Sequence, residues 1–143
     1  MSNKYLSVFT LLLIFVSGCD KWEKLPTELI KSDKMSNLKI DFSAALFNDS
    51  KFIFYMKSNE GFEIILDEMS LINSDEEILF LPEIISDYEL ELTEYSNKEI
   101  SIAFTGRELV KWFLDEDPEG FVSIPFQQGD SLYIHKYKVM SND

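Results

Sequence analysis

Apolar residues recur at every second position along two long stretches of this chain, and that periodicity limits the fold more than anything else in it. Leu38, Ile40, Phe42, Ala44 and Leu46 fall on one face of an extended segment, because successive side chains of a strand point to opposite sides of the sheet. Asn48, Asp49 and Ser50 then supply turn residues. Phe52, Phe54 and Met56 follow, interleaved with Ile53 and Tyr55, so this strand is apolar on both faces and belongs near the centre of its sheet. Ser58-Asn59-Glu60-Gly61 reads as a turn returning into Phe62, Ile64 and Leu66. A polar loop at 73–76 leads to an apolar run at 78–81 that Pro82 ends.

The clearest hairpin lies further on. Tyr88, Leu90 and Leu92 share a face, Ser96-Asn97 turns the chain, and Ile100, Ile102 and Phe104 return. Its other face carries Glu89, Glu91 and Glu99, and like charges so placed require water or a positive counterpart.

After Thr105 the period changes. Thr105 and Glu108 have capping-box spacing, and Leu109, Val110, Trp112 and Phe113 follow at helical intervals, which predicts a helix over 106–114. An acidic loop with Pro118 and Gly120 ends it. Two more strands, 121–126 and 132–139, flank a turn at Gln127-Gln128-Gly129-Asp130. The expected fold is α+β: mainly antiparallel sheet, meander- or sandwich-like, with one helix near 106–114. A small all-β sandwich or barrel is the alternative. With 12 phenylalanines in the chain, the core should be rich in Phe.

None of this covers the N-terminus. Lys4 gives it one positive charge, Leu6 to Val16 is apolar apart from Ser7 and Thr10, and the small pair Ser17-Gly18 follows. The apolar run is too short to span a bilayer and has the proportions of a secretory signal. The single cysteine, Cys19, comes directly after it and has no second cysteine with which to form an internal disulfide.

Val16-Ser17-Gly18-Cys19 resembles the lipobox of bacterial lipoproteins, with Val16 where leucine is most frequent. The resemblance implies that 1–18 is removed, that the Cys19 sulfur carries a diacylglycerol as a thioether, and that the new N-terminus is acylated. Palmitate-like chains would hold the protein firmly in a membrane. It further implies a domain in the cell envelope, facing the periplasm, with Asp20 favouring inner-membrane retention as in enterobacterial lipoproteins. The competing view of Cys19 is a buried free thiol behind an ordinary signal peptide.

Three segments result: a signal peptide at 1–18, a lipid-anchored tether at 19–37, and a single globular domain at 38–143. Within the tether, Pro26 is compatible with a short helix at 27–30.

The charge balance then selects among partners. Against 13 Lys and Arg stand 26 Asp and Glu, a formal charge of −13. Nucleic acid is excluded as a partner, because phosphate binding needs clustered cations. Anionic headgroups are poor partners for the same reason, whereas a basic protein or a cation suits such a surface.

Candidate chemistry is sparse. No glycine-framed serine elbow exists, and the one histidine, His135, lies on the Tyr133–Tyr137 face of the last strand, where packing among tyrosines explains it. One histidine and an acylated thiol do not make a zinc set. Asp115-x-Asp117-x-Glu119-Gly120 resembles the first half of an EF-hand calcium loop, with Asp115, Asp117 and Glu119 as ligands. However, Phe126 stands where that loop has its bidentate glutamate, and Pro118 stiffens position four. No cofactor is expected beyond the lipid on Cys19, with calcium the weak alternative.

Two acidic groups remain as candidate partner-binding residues: Glu89, Glu91, Glu94 and Glu99 on the hairpin, and Asp115 and Asp117 on the loop. The expected function is a non-enzymatic envelope lipoprotein, an acidic inhibitor or immunity-type protein directed at a basic toxin or cell-wall hydrolase. A structural or accessory lipoprotein of an envelope assembly is the alternative.

Overall fold

The computed structural model describes residues 22–32, 38–114 and 119–142. Among them are eleven strands, two α-helices and one 3₁₀ turn. In chain order these are β1 (Trp22–Leu25), β2 (Thr27–Ser32), β3 (Ile40–Phe47), β4 (Lys51–Ser58), β5 (Glu63–Ile64), the 3₁₀ turn Leu66–Glu68, β6 (Ser70–Ile72), β7 (Ile78–Phe80), α1 (Leu81–Asp87), β8 (Glu89–Ser96), β9 (Glu99–Thr105), α2 (Arg107–Leu114), β10 (Glu119–Gln128) and β11 (Ser131–Met140). The mainly antiparallel α+β architecture expected from the alternation is the one observed.

Two open sheets pack as a sandwich. The first has strand order β1-β3-β4-β9-β8; the second runs β2-β11-β10-β6-β7, with β5 also paired to β10. β4 is central in the first sheet, as its two apolar faces require. Its even-numbered side chains point inward: Phe54 and Met56 are fully buried, with Ile102 and Phe104 of β9 beside them. Val122, Ile124 and Phe126 of β10 complete the core from the second sheet. Phe42 of β3 stacks on Tyr137 of β11 at 4.1 Å with ring planes 8° apart, joining the two sheets. Such contacts add about 0.5–1.5 kcal/mol each beyond simple burial.

α2 lies where the change of period placed it. Its Phe113 stacks on Phe52 at 5.2 Å, and Gly120 lets the chain return beside it, since a Cβ there would come within 2.7 Å of the Phe113 carbonyl oxygen. Gly129, at φ +59°, turns β10 into β11.

The structure departs from the sequence expectations in three places. First, the stretch from Trp22 to Ser32, expected as tether with a helix at 27–30, forms two edge strands. Leu25 is buried in the core, β1 pairs with β3, and β2 pairs with β11. Pairing with two distant strands overrides a weak local helix signal. Pro26, which has no N–H to give a ladder, sits where the chain leaves one sheet for the other, and its carbonyl accepts from the Met140 amide at 2.9 Å.

Second, the chain after Gly61 does not return along β4. Both edges of β4 are already occupied by β3 and β9, so Glu63 and Ile64 cross to the second sheet and pair with β10.

Third, a helix not anticipated, α1, follows β7. Pro82 begins this helix rather than merely stopping a strand. Glu83 accepts from the Phe80 amide at 3.0 Å, and Leu81 and Ile84 turn one face inward.

Candidate functional site

The odd-numbered side chains of β3, β4 and β9 share the face of the first sheet that points away from the core, and the antiparallel register arranges them in rows. Across β1, β3, β4, β9 and β8, the first row reads Trp22, Phe47, Lys51, Thr105, Glu89. The second reads Lys24, Ala45, Ile53, Ala103, Glu91. Beyond the end of β1 come Ser43, Tyr55, Ser101 and Thr93, then Asp41, Lys57, Glu99 and Ser96. Apart from Ile53, the centre of this face is therefore small, hydroxylic or aromatic, and charge is confined to its borders.

The hydroxyl groups are held in place. Tyr55 donates its phenolic proton to Glu99 Oε2 at 2.6 Å, and Lys57 Nζ stands 3.7 Å from the other carboxylate oxygen. The Tyr95 hydroxyl lies 3.1 Å from Ser101 Oγ, and the rings of Tyr55 and Tyr95 are 6.1 Å apart. Burial, then the hydrogen bond to Glu99, pushes the Tyr55 hydroxyl well above the ordinary tyrosine range, so it keeps its proton and remains a donor. Ser43, Ile53, Tyr55 and Thr93 are half-exposed, leaving this surface open to contact.

The hairpin glutamates chosen from sequence are not one group. Glu89 and Glu91 are exposed side by side at the free edge, on β8. Glu94 is exposed too, but it pairs with Ile100 and so stands on the opposite side of the sheet. Glu99 is only 8% exposed and is committed to Tyr55 and Lys57. Sequence placed Glu99 correctly on the Glu89 face but could not show that the sheet supplies its own partners.

Asp115, Asp117 and Cys19 lie outside the described residues, as does the lipobox. Glu119, the third carboxylate of the calcium pattern, is paired with Lys138 of β11 at 3.4 Å. Among the described residues no group of three or more His, Cys, Asp or Glu could hold a metal ion. His135 is buried beside Tyr137: Nδ1 is 2.9 Å from the Tyr137 hydroxyl, and its ring meets Phe126 edge-on at 5.1 Å. Burial, with Asp41 nearby, raises the Tyr137 hydroxyl as well.

Sequence reasoning missed Trp22, Ser43, Tyr55 and Tyr95 as partly exposed residues of this surface, and the buried Ser101 that holds Tyr95. The signal was present for Tyr55, whose alternation with Phe54 and Met56 put it on the opposite face of a central strand. A separate cleft of about 310 Å³ opens at one end of the sandwich, between Gly61, Phe62, Asn97 and Gln127. Beside it Gln128 donates to Glu60 at 2.6 Å.

No family model, curated protein or solved structure matches this chain. Among the described residues, no helix is long and apolar enough to cross a membrane.

Proposed function

We propose that this protein is a lipid-anchored, non-enzymatic binding protein of the cell envelope, of the inhibitory or immunity type. The outer face of its first sheet receives a basic protein, such as a toxin or cell-wall hydrolase. The observation that carries the reading is the layout of that face: an uncharged, partly exposed strip of Ser43, Tyr55 and Thr93 beside two exposed carboxylates, Glu89 and Glu91. Tyrosines that carry a fixed hydroxyl on a rigid sheet offer large contact area at small cost in side-chain entropy. Carboxylates at the border steer a cationic partner and set its orientation. The domain is held by the lipid on Cys19 and uses no other cofactor.

The test is to purify full-length protein from detergent-solubilised membranes at low salt and identify what accompanies it. A basic protein should co-purify in stoichiometric amount, leave at high salt, and bind the Glu89→Gln/Glu91→Gln variant at least about tenfold more weakly, chiefly through slower association. Retention of envelope assembly components at high salt, unchanged in the variant, would overturn this reading in favour of an accessory lipoprotein.

A further inference from the structure

On the outer face of the first sheet, Trp22, Phe47, Lys24 and Lys51 lie in the two rows that begin on β1, while Asp41, Lys57 and Glu99 share the row at the other end of the strands. Trp22 packs on Phe47 with ring centroids 5.1 Å apart. Phe47 pairs with Lys51, and Lys24 stands on the next row of the same strand as Trp22. Glu89 and Glu91 close those same two rows on β8, four strand spacings away, about 19 Å at the usual separation of about 4.8 Å.

The chain outside the described residues sets where a membrane would lie. Cys19 precedes Trp22 by three positions, and three residues fully extended reach only about 10 Å. A lipid on the Cys19 sulfur therefore holds the Trp22 corner within reach of the headgroups, whatever path the intervening residues take.

We propose that Trp22, Phe47, Lys24 and Lys51 form an interfacial contact with the lipid surface in which Cys19 is anchored. The domain then stands with its β1 edge down and the Glu89/Glu91 edge presented away from the bilayer. The proposal rests on the lipid-anchor reading of Cys19. Its chemistry is that of bilayer interfaces, where tryptophan occupies the headgroup level and lysine reaches anionic phosphates. Glu23, on the other side of β1, and Asp49, in the β3–β4 turn, bring the corner close to neutrality. The aromatic pair thus supplies the contact, and the lysines offset Glu23 and Asp49, so that this corner escapes the repulsion that the rest of the acidic domain would meet at anionic headgroups. The same sorting keeps Glu89 and Glu91 clear of headgroup charge.

The test uses full-length protein, its acylation established by intact mass, reconstituted into vesicles of phosphatidylglycerol and phosphatidylethanolamine. Part of the lipid is brominated near the headgroup end of the acyl chains. The chain has two tryptophans, so the Trp112→Phe variant isolates Trp22, and the difference between wild type and Trp22→Phe gives the same quantity if that variant does not fold. Trp22 emission should fall by roughly half in brominated vesicles, as expected for a ring at the headgroup level. The Lys24→Glu/Lys51→Glu variant should recover most of it. Full emission from acylated protein would overturn the proposal while leaving the anchor standing. Shielding of Trp22 from aqueous iodide that requires a co-purified protein would also overturn it, by making the corner a protein contact. A mass without acyl chains would remove the anchor reading, and the proposal with it.

Discussion

β4 has two faces built from alternate residues of one eight-residue strand, and they do different work. The inner face, Phe52, Phe54 and Met56, is at most 1% exposed and meets only apolar neighbours. The outer face, Ile53, Tyr55 and Lys57, is open to solvent and tied into local polar pairs. The inner face derives its energy from removing carbon from water and from close packing. The outer face adds little to the core, but it fixes the donors and acceptors of a surface. The two should therefore respond to mutation in opposite ways: inner changes cost stability, outer changes cost recognition.

The largest effect belongs to the inner face. Phe54→Ala should lower unfolding free energy by about 3–5 kcal/mol, since it opens a cavity among Phe42, Phe52, Phe104 and Phe113. Denaturant unfolding followed by far-UV circular dichroism measures it. A loss below about 1 kcal/mol would mean that the inner face is not close-packed.

Tyr55→Phe should cost about 1 kcal/mol at neutral pH, the net value of one hydrogen bond, increased if Glu99 is left without its donor. Its pH dependence is more telling. Because the Tyr55 hydroxyl is raised above its unfolded value, its contribution is fully present below pH about 10 and is lost as pH rises further. Wild type should therefore lose stability on the alkaline side more steeply than Tyr55→Phe. Parallel profiles would show that the Tyr55–Glu99 pair does not govern the outer face.

Least affected is the border. Glu89→Gln/Glu91→Gln should leave unfolding free energy within about 0.5 kcal/mol of wild type, as usual for exposed side chains, while weakening the proposed salt-sensitive capture at least about tenfold. A large loss of stability in that variant would erase the distinction between the two faces.

Much of this was legible in the sequence, for reasons particular to each segment. The β3–β4, β8–β9 and β10–β11 hairpins were readable because period-two alternation, turn residues and short loops all lie close together along the chain. α2 was readable because the apolar period changes from two to helical after Thr105, although Thr105 itself ends β9 and the helix begins at Arg107. The edge strands β1 and β2 were not, since their partners β3 and β11 are distant and their own residues are largely polar and exposed. α1 was hidden because Pro82 marks a helix start and a strand end equally well. At the candidate site, alternation put Glu89, Glu91 and Glu99 on one face. Only the register brings Tyr55 and Lys57 to Glu99 and leaves Glu89 and Glu91 without such neighbours.

The pairing of β2 with β11 also has a consequence for how the chain reaches its final state. Thr27–Ser32 finds its ladder on residues 135–139, almost at the other end of the sequence, and such distant contacts form late and slowly. For a chain delivered N-terminus first, β1 and everything from β3 to β10 can begin to assemble while β2 waits. The second sheet gains its β2 edge only after the last strand emerges, so loss of the C-terminal hairpin would leave Thr27–Ser32 as an unpaired strand, a ready template for aggregation.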